Sequence, residues 1–207
     1  MLRELEKNGL SVQILQQLSY ESRMERSLVN SLRKFNKEDL FREISEMIRF
    51  YQEADILDSV DLDYRIKSED SCIRKYNKFY PEMRLEKVFN DILGFRMLTD
   101  SYESLLKNEI PEGVRVVDMS RGKANDDGYR GVHIYFQQSH FYYPIEIQAN
   151  TYYDRQLNNW LHKYLYKKEY PDSVGRMLRS EYESGKILSE KQFEEVLSNV
   201  LSHSEGI

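Results

Sequence analysis

An α/β (α+β) fold is predicted for this chain: a mixed β-sheet of about five strands, flanked by helices and carrying helical extensions at both ends. Three observations predict it. Runs of strand length recur between Asp61 and Asn150, separated by helical or polar stretches. Apolar residues at helical spacing mark both ends; in "KEDLFREISEMIRFY", Leu40, Phe41, Ile44, Met47, Ile48 and Tyr51 form one stripe. The chain has 207 residues, 40% hydrophobic and 31% charged, enough for one core with additions, and no repeat or low-complexity linker divides it.

In chain order, residues from about Leu10 to Tyr51 read as helices. "DSVDLDYRIKS" alternates as a strand ending near Arg65 to Lys67. Ser68 is placed to cap a helix through Ser71 and Lys75, with Glu69 and Asp70 in its first turn. A strand over Ile92 to Thr99, a short helix near Tyr102 to Lys107 and the strand "GVRVVDM" follow. "RGKANDDG" is a polar loop; "YRGVHIYFQ" and "FYYPIEIQA" are strands joined tightly at "QSH". A helix from about Tyr152 to Lys167 comes next, then further helices. The last has a capping box, Ser189 with Gln192, and a stripe of Phe193, Val196, Leu197 and Val200. The expected segments are a helical extension over 1–58, a core over 59–168 and a second extension over 169–207.

Lys and Arg number 30 against 35 Asp and Glu, a net charge of −5, which speaks against a surface built to coat nucleic acid but leaves room for a local basic groove. No apolar run approaches the roughly 20 residues of a membrane helix. "MLRELEKNGL" is charged throughout, unlike a signal peptide, so no membrane partner is expected. Cys72 is the only cysteine, which excludes an intrachain disulfide and fits a cytoplasmic location. One cysteine and four scattered histidines do not make a structural zinc site.

Four stretches carry chemistry. In "PIEIQAN", Glu146, Gln148 and Asn150 share one strand face and Ile145 and Ile147 the other. If Ser139 and His140 form a two-residue loop, His133 lies directly across from Glu146; a solvated sheet face is the competing reading. In "VFNDILGFRML", strict alternation sets Asp91 opposite Gly94 and Arg96. Both sides serve one cleft only if Asp91 sits at the strand mouth or the chain kinks at Gly94. Asp91 and Glu146 converging there would suit magnesium, which needs only one or two carboxylates; a structural Asp91–Arg96 pair is the alternative. In "RIKSEDSCIRK", Ser71 and Lys75 share a helix face, with Lys67 at its N-terminus and Arg65 two residues earlier. This is either a polyphosphate cradle or a solvated basic surface. In "NDDGYRGVH", Gly128 lets backbone approach a ligand and Tyr129 offers a face on which a base stacks for about 1–3 kcal/mol; among sixteen tyrosines it also reads as filler.

Taken in order, "RIKSEDSCIRK", "DILGFR", "DGYRGVH", "IEIQ" and "HKYLYK" from His162 resemble the RelA/SpoT-type (p)ppGpp synthetase domain family, over roughly Asp61 to Lys168. The resemblance implies a nucleotidyltransferase-like fold and a cytoplasmic pyrophosphokinase acting on ATP and GDP or GTP with Mg2+. By the same resemblance Asp91 binds magnesium, and Glu146 helps hold the metal or acts as base on a ribose 3′-hydroxyl. Arg65 and Arg96 sandwich adenine; Lys67, Ser71 and Lys75 grip the β- and γ-phosphates. Tyr129 stacks on the acceptor base, with His133, Gln148 and Lys123 on the acceptor side. The chain departs from the family pattern at Asn150 before Thr151, at Leu161 before His162, and at Lys123, which stands farther from Gly128 than is common. No His-Asp dipeptide is present, so synthesis without hydrolysis is expected. Some family members are toxins that pyrophosphorylate the tRNA 3′ end, and others make adenosine alarmones. The resemblance therefore leaves tRNA, an antitoxin protein or a second copy of the chain as further partners. A non-catalytic nucleotide-binding regulator is the reading from another class, against which Asp91 and Glu146 speak.

Overall fold

A computed structural model describes residues 2–29, 35–107, 109–166, 168 and 170–204. Among them are five strands in one sheet of order β1-β2-β5-β4-β3: β1 Asp63–Ile66, β2 Leu93–Leu98, β3 Val114–Met119, β4 Gly131–Phe136 and β5 Ile145–Asn150. The helices are α1 Leu2–Lys7, α2 Val12–Gln17, α3 Lys37–Gln52, α4 Glu69–Phe79, α5 Leu85–Val88, α6 Tyr102–Leu106, α7 Tyr152–Tyr164, α8 Asp172–Glu183 and α9 Glu190–Ser204. The five-stranded sheet and flanking helices are those the sequence predicts. None of the described helices is long and apolar enough to cross a membrane.

Two compact units divide the chain. One comprises Met1–Met97, Glu103–Val116 and His133–Gln148; the other comprises Leu98–Tyr102, Val117–Val132 and Ala149–Ile207. In the first, α3 packs on α4 and β1. Asn36 starts α3 by accepting from the backbone N–H groups of Glu38 (2.8 Å) and Asp39 (3.1 Å), which satisfies two donors that have no partner within the helix. The helix then buries Leu40, Ile44, Met47, Ile48 and Tyr51, the expected stripe except for the half-buried Phe41. Leu93, Phe95 and Met97 alternate into the core from β2, while Gly94, Arg96 and Leu98 point away. In the second unit, α8 packs on α7 and α9 around Leu161, Leu178, Phe193 and Trp160. Thr151 caps α7, its hydroxyl accepting from Asp154 N–H at 3.1 Å. At α9, Ser189 Oγ accepts from Gln192 N–H at 3.3 Å, but the Gln192 carboxamide reaches back one residue further than a standard capping box, to Leu188 N–H at 2.8 Å.

Two expectations fail together. Residues 18–29 are not helical, and β4 and β5 are joined by residues 137–144, not by a two-residue loop. The cause is one set of hydrogen bonds. Tyr143 N–H donates to Tyr20 C=O (3.0 Å), Ser22 N–H to Phe141 C=O (2.9 Å) and Leu28 N–H to His140 C=O (2.9 Å), with a bridge between Glu21 and Tyr142. Each segment satisfies its backbone on the other, so neither forms the local structure its own residues favour. Asp58 and Ser59, read as the start of a strand, end a 3-10 turn over Asp55–Ser59, and β1 begins only at Asp63. Lys67 and Ser68 keep their expected places after it. Lys167, the expected end of α7, lies outside the described residues, as do Met1, Glu169 and Ile207 at the expected segment limits.

Candidate active site

β1 and β2 pair antiparallel with Arg65 opposite Gly94 and Asp63 opposite Arg96. Directly opposed residues of a pair share a face, so Arg65 and Arg96 stand on the same side as diagonal neighbours. Both are exposed. Gly94 is the gap between them and β5: a methyl there would touch the Glu146 carboxylate at 3.6 Å. A glycine at this position keeps one patch of the sheet surface open beside a carboxylate.

Asp91 precedes β2, which begins at Leu93, and so sits at the strand mouth. The mouth, not a kink, resolves the alternation problem. Arg65, Asp91, Gly94, Phe95, Arg96, Glu146 and Gln148 line one cleft. Asp91 does not pair with Arg96. Its Oδ2 accepts from Lys67 Nζ and its Oδ1 from Lys75 Nζ at 2.8 Å, and Lys75 also donates to Asn90 Oδ1 at 2.9 Å. Burial pushes the Asp91 carboxyl up, but the ammonium charges of Lys75 and Lys67 and their hydrogen bonds outweigh it and hold the group below its ordinary value. Ser71, on the first turn of α4, shares a hydroxyl contact with Ser68 (3.0 Å) and accepts from Arg74 (2.9 Å).

Glu146 is buried, 7% exposed, which rules out a solvated sheet face. Its Oε1 contacts His133 Nδ1 at 3.0 Å and accepts from Tyr135 O–H at 3.0 Å, and its Oε2 accepts from Gln148 Nε2 at 2.8 Å. Facing partners from β4 thus meet the acid without the two-residue loop. Tyr135 was not among the expected site residues, although period two placed it on the His133 face. Only the register brings it to Glu146. Burial, and then the adjacent carboxylate, push its phenol well above the ordinary range, so it stays a donor. The Arg115 guanidinium, from β3, lies 4.2 Å from the Tyr135 ring centroid. No sequence signal pairs Arg115 with that ring, because the contact depends on β3 lying beside β4.

Lys123 and Tyr129 belong to the second unit. Lys123 Nζ lies 5.1 Å from the Tyr129 ring centroid and donates to Asp127 at 2.6 Å. The sequence-predicted residues therefore form two groups. Arg65, Asp91, Arg96, Glu146 and Gln148 line the cleft, with Lys67, Lys75 and His133 bonded to its acids and Ser71 on α4; Lys123 and Tyr129 stand together in the second unit.

The donor set fits a hard divalent cation. Two carboxylates line one cleft, and magnesium takes one or two from protein with the remaining positions filled by phosphate oxygens and water. Both Asp91 oxygens are engaged by ammonium groups that a polyphosphate would attract in turn.

The chain matches no protein-family model and no curated protein. Solved structures to which it is similar include the following three. The first is the small alarmone synthetase 1 from Bacillus subtilis bound to its product pppGpp, at 18% identity over 80% of this chain and 91% of that one, TM-score 0.42. The second is the same enzyme bound to AMPCPP, at 15% over 82% and 92%, TM-score 0.36. The third is a GTP pyrophosphokinase family protein from Streptococcus pneumoniae, at 16% over 87% and 93%, TM-score 0.38. Likeness at this level assigns no role to any side chain.

Proposed function

We propose that this chain is a pyrophosphokinase that moves the β,γ-pyrophosphate of ATP to the 3′-hydroxyl of GDP or GTP, making a (p)ppGpp alarmone, on a nucleotidyltransferase-like scaffold. The observation that carries the reading is the single cleft lined by Arg65, Asp91, Gly94, Arg96, Glu146 and Gln148, with Lys67 and Lys75 closed on Asp91.

Diagonal neighbours on one face of an antiparallel pair stand about 7–8 Å apart. That is two stacking distances, so Arg65 and Arg96 suit a flat adenine slipped between their guanidinium planes. Lys67 and Lys75 then exchange Asp91 for the β- and γ-phosphates, with Ser71 one turn before Lys75 on the same face of α4. Asp91 and Glu146 would hold a magnesium ion, which when bound neutralises phosphate charge at the reacting centre. Glu146 takes the proton of the acceptor 3′-hydroxyl as its oxygen bonds to the β-phosphorus. The bond from that phosphorus to the α–β bridging oxygen breaks, and AMP leaves. His133, Tyr135 and Gln148 keep Glu146 oriented during the transfer. Positioning and charge neutralisation suffice for such a displacement; no covalent intermediate with the protein is needed. Tyr129 supplies the stacking face for the acceptor base, and Lys123 a charge beside it.

The test is incubation with γ-labelled ATP and, in separate arms, GDP, GTP, AMP and deacylated tRNA. Label in a guanosine nucleotide supports the reading. Label in AMP or in tRNA keeps the chemistry and changes the acceptor. Absence of transfer in every arm, with ATP bound, would make the chain a nucleotide-binding regulator.

A further inference from the structure

The turn that carries Tyr129 is pressed against the C-terminal helices by contacts that no motif in the sequence announces. Asp126 Oδ1 accepts from Gly128 N–H at 3.0 Å and Asp127 Oδ1 from Tyr129 N–H at 3.1 Å, closing two tight turns in succession. Gly128 has φ +86°, and a methyl on it would stand 2.3 Å from the Gly175 carbonyl oxygen. Conversely, a methyl on Gly175 would stand 1.9 Å from the Asp127 carbonyl oxygen. Helix α8 and the turn therefore meet backbone to backbone, and both glycines are required for it.

One helical turn further on, Arg179 is 2% exposed. Its Nε donates to Gly128 C=O at 2.8 Å, one terminal nitrogen to Asp154 Oδ1 at 2.6 Å and the other to Asn158 Oδ1 at 3.3 Å. Asp154 is completed by Tyr102 O–H and the Thr151 hydroxyl, each at 2.8 Å. On the other side of Tyr129, Arg130 N–H donates to Asn158 Oδ1 (3.3 Å). The Arg130 C=O accepts from Asn158 (2.7 Å) and Asn150 (2.8 Å). The backbone is thus held at residue 128 and at residue 130. The residue between them has its Cα–Cβ direction set by both neighbours, while its half-buried ring stays beside Lys123.

A buried arginine that only balanced Asp154 would not need to reach the Gly128 carbonyl. We propose that Gly175 and Arg179 are positioning residues that aim Tyr129 at the acceptor base. This rests on the reading of Tyr129 as the stacking platform, and it makes α8 part of the acceptor site and not an appendage.

The test uses the full chain and two variants. Arg179→Lys keeps a cation beside Asp154, so the fold survives, but its ammonium cannot span both Asp154 and Gly128. Gly175→Ala pushes directly on Asp127. Two readouts are taken: amide hydrogen exchange at Gly128 and Tyr129, and steady-state kinetics with separate titration of acceptor and ATP. The expected result for Arg179→Lys is exchange at those two amides roughly tenfold faster, and a KM for the acceptor raised by roughly tenfold, the loss of about one hydrogen bond. ATP affinity stays within about twofold, since the cations assigned to ATP belong to the other unit and share no partner with Arg179. Unchanged exchange at the turn overturns the clamp whether or not the wild type transfers label. An equal rise in both substrates' KM overturns the positioning role. A wild type inactive with every acceptor defeats the pyrophosphokinase reading; the exchange result still decides whether α8 holds the turn.

Discussion

Glu146 and Asp91 are both ionisable groups kept away from bulk water, but they are surrounded differently, and that difference separates their roles. Asp91 is matched by two full positive charges. Glu146 is held by His133, Tyr135 and Gln148. These partners orient the carboxylate, which suits it to take a proton from a hydroxyl placed in the cleft. Glu146→Gln keeps the volume and removes the basicity; turnover should fall by about 10²–10⁴-fold with ATP binding nearly intact in equilibrium titration. A parallel loss of binding and rate would reject the base assignment. Tyr135→Phe deletes one donor from the same oxygen. Its loss leaves the carboxylate oriented by His133 and Gln148 without the phenol. Turnover should therefore fall by roughly fivefold to tenfold while ATP affinity holds. Unchanged turnover would show that Tyr135 only fills space.

The strands explain why these side chains meet. β2 buries alternate residues and leaves Gly94 and Arg96 on the other face, where Gly94 pairs with Arg65 and faces Glu146. A methyl at residue 94 makes ordinary contact at 3.6 Å, so Gly94→Ala should fold with little change in Tm. Gly94→Leu should fill the patch between Arg65 and Glu146 and abolish ATP binding while the far-ultraviolet circular dichroism stays native. Retained binding in the leucine variant would place the nucleotide elsewhere. Much at this scale was readable beforehand. The start of α4 after Ser68, the stripe of α3 and the alternation of β2 and β5 are local patterns, and local patterns survive folding when the core agrees with them, although the Ser68 side chain makes no cap bond. What could not be read was the segment 18–29 and the 137–144 connection, where two stretches distant in sequence satisfy each other's backbone. Nothing in either stretch alone reports the other.

For the whole molecule, the Lys67–Asp91–Lys75 cluster ties β1, α4 and the entry to β2 together, and it titrates. Asp91 is held below its ordinary value in the folded chain, whereas unfolding returns it to about 3.9. Its stabilising contribution is therefore fully present above about pH 5 and is lost as pH falls through the lowered folded value. Denaturant unfolding of wild type and Asp91→Asn should show a stability gap at pH 7 that narrows below about pH 4; a gap of constant size across that range would mean that the cluster does not stabilise the fold through its charges. The sequence by itself determined most of the elements, the polar face of β5, the position of Asp91 ahead of a strand and a lysine just ahead of a helix, because each depends on spacing along one short stretch. Only the tertiary structure decided that Asp91 takes lysines and not Arg96, that Tyr135 and His133 share one oxygen of Glu146, and that α8 carries an arginine into the turn before Tyr129. Those pairings depend on strand order, register and helix approach, which distant parts of the chain settle jointly when they bury their apolar surface.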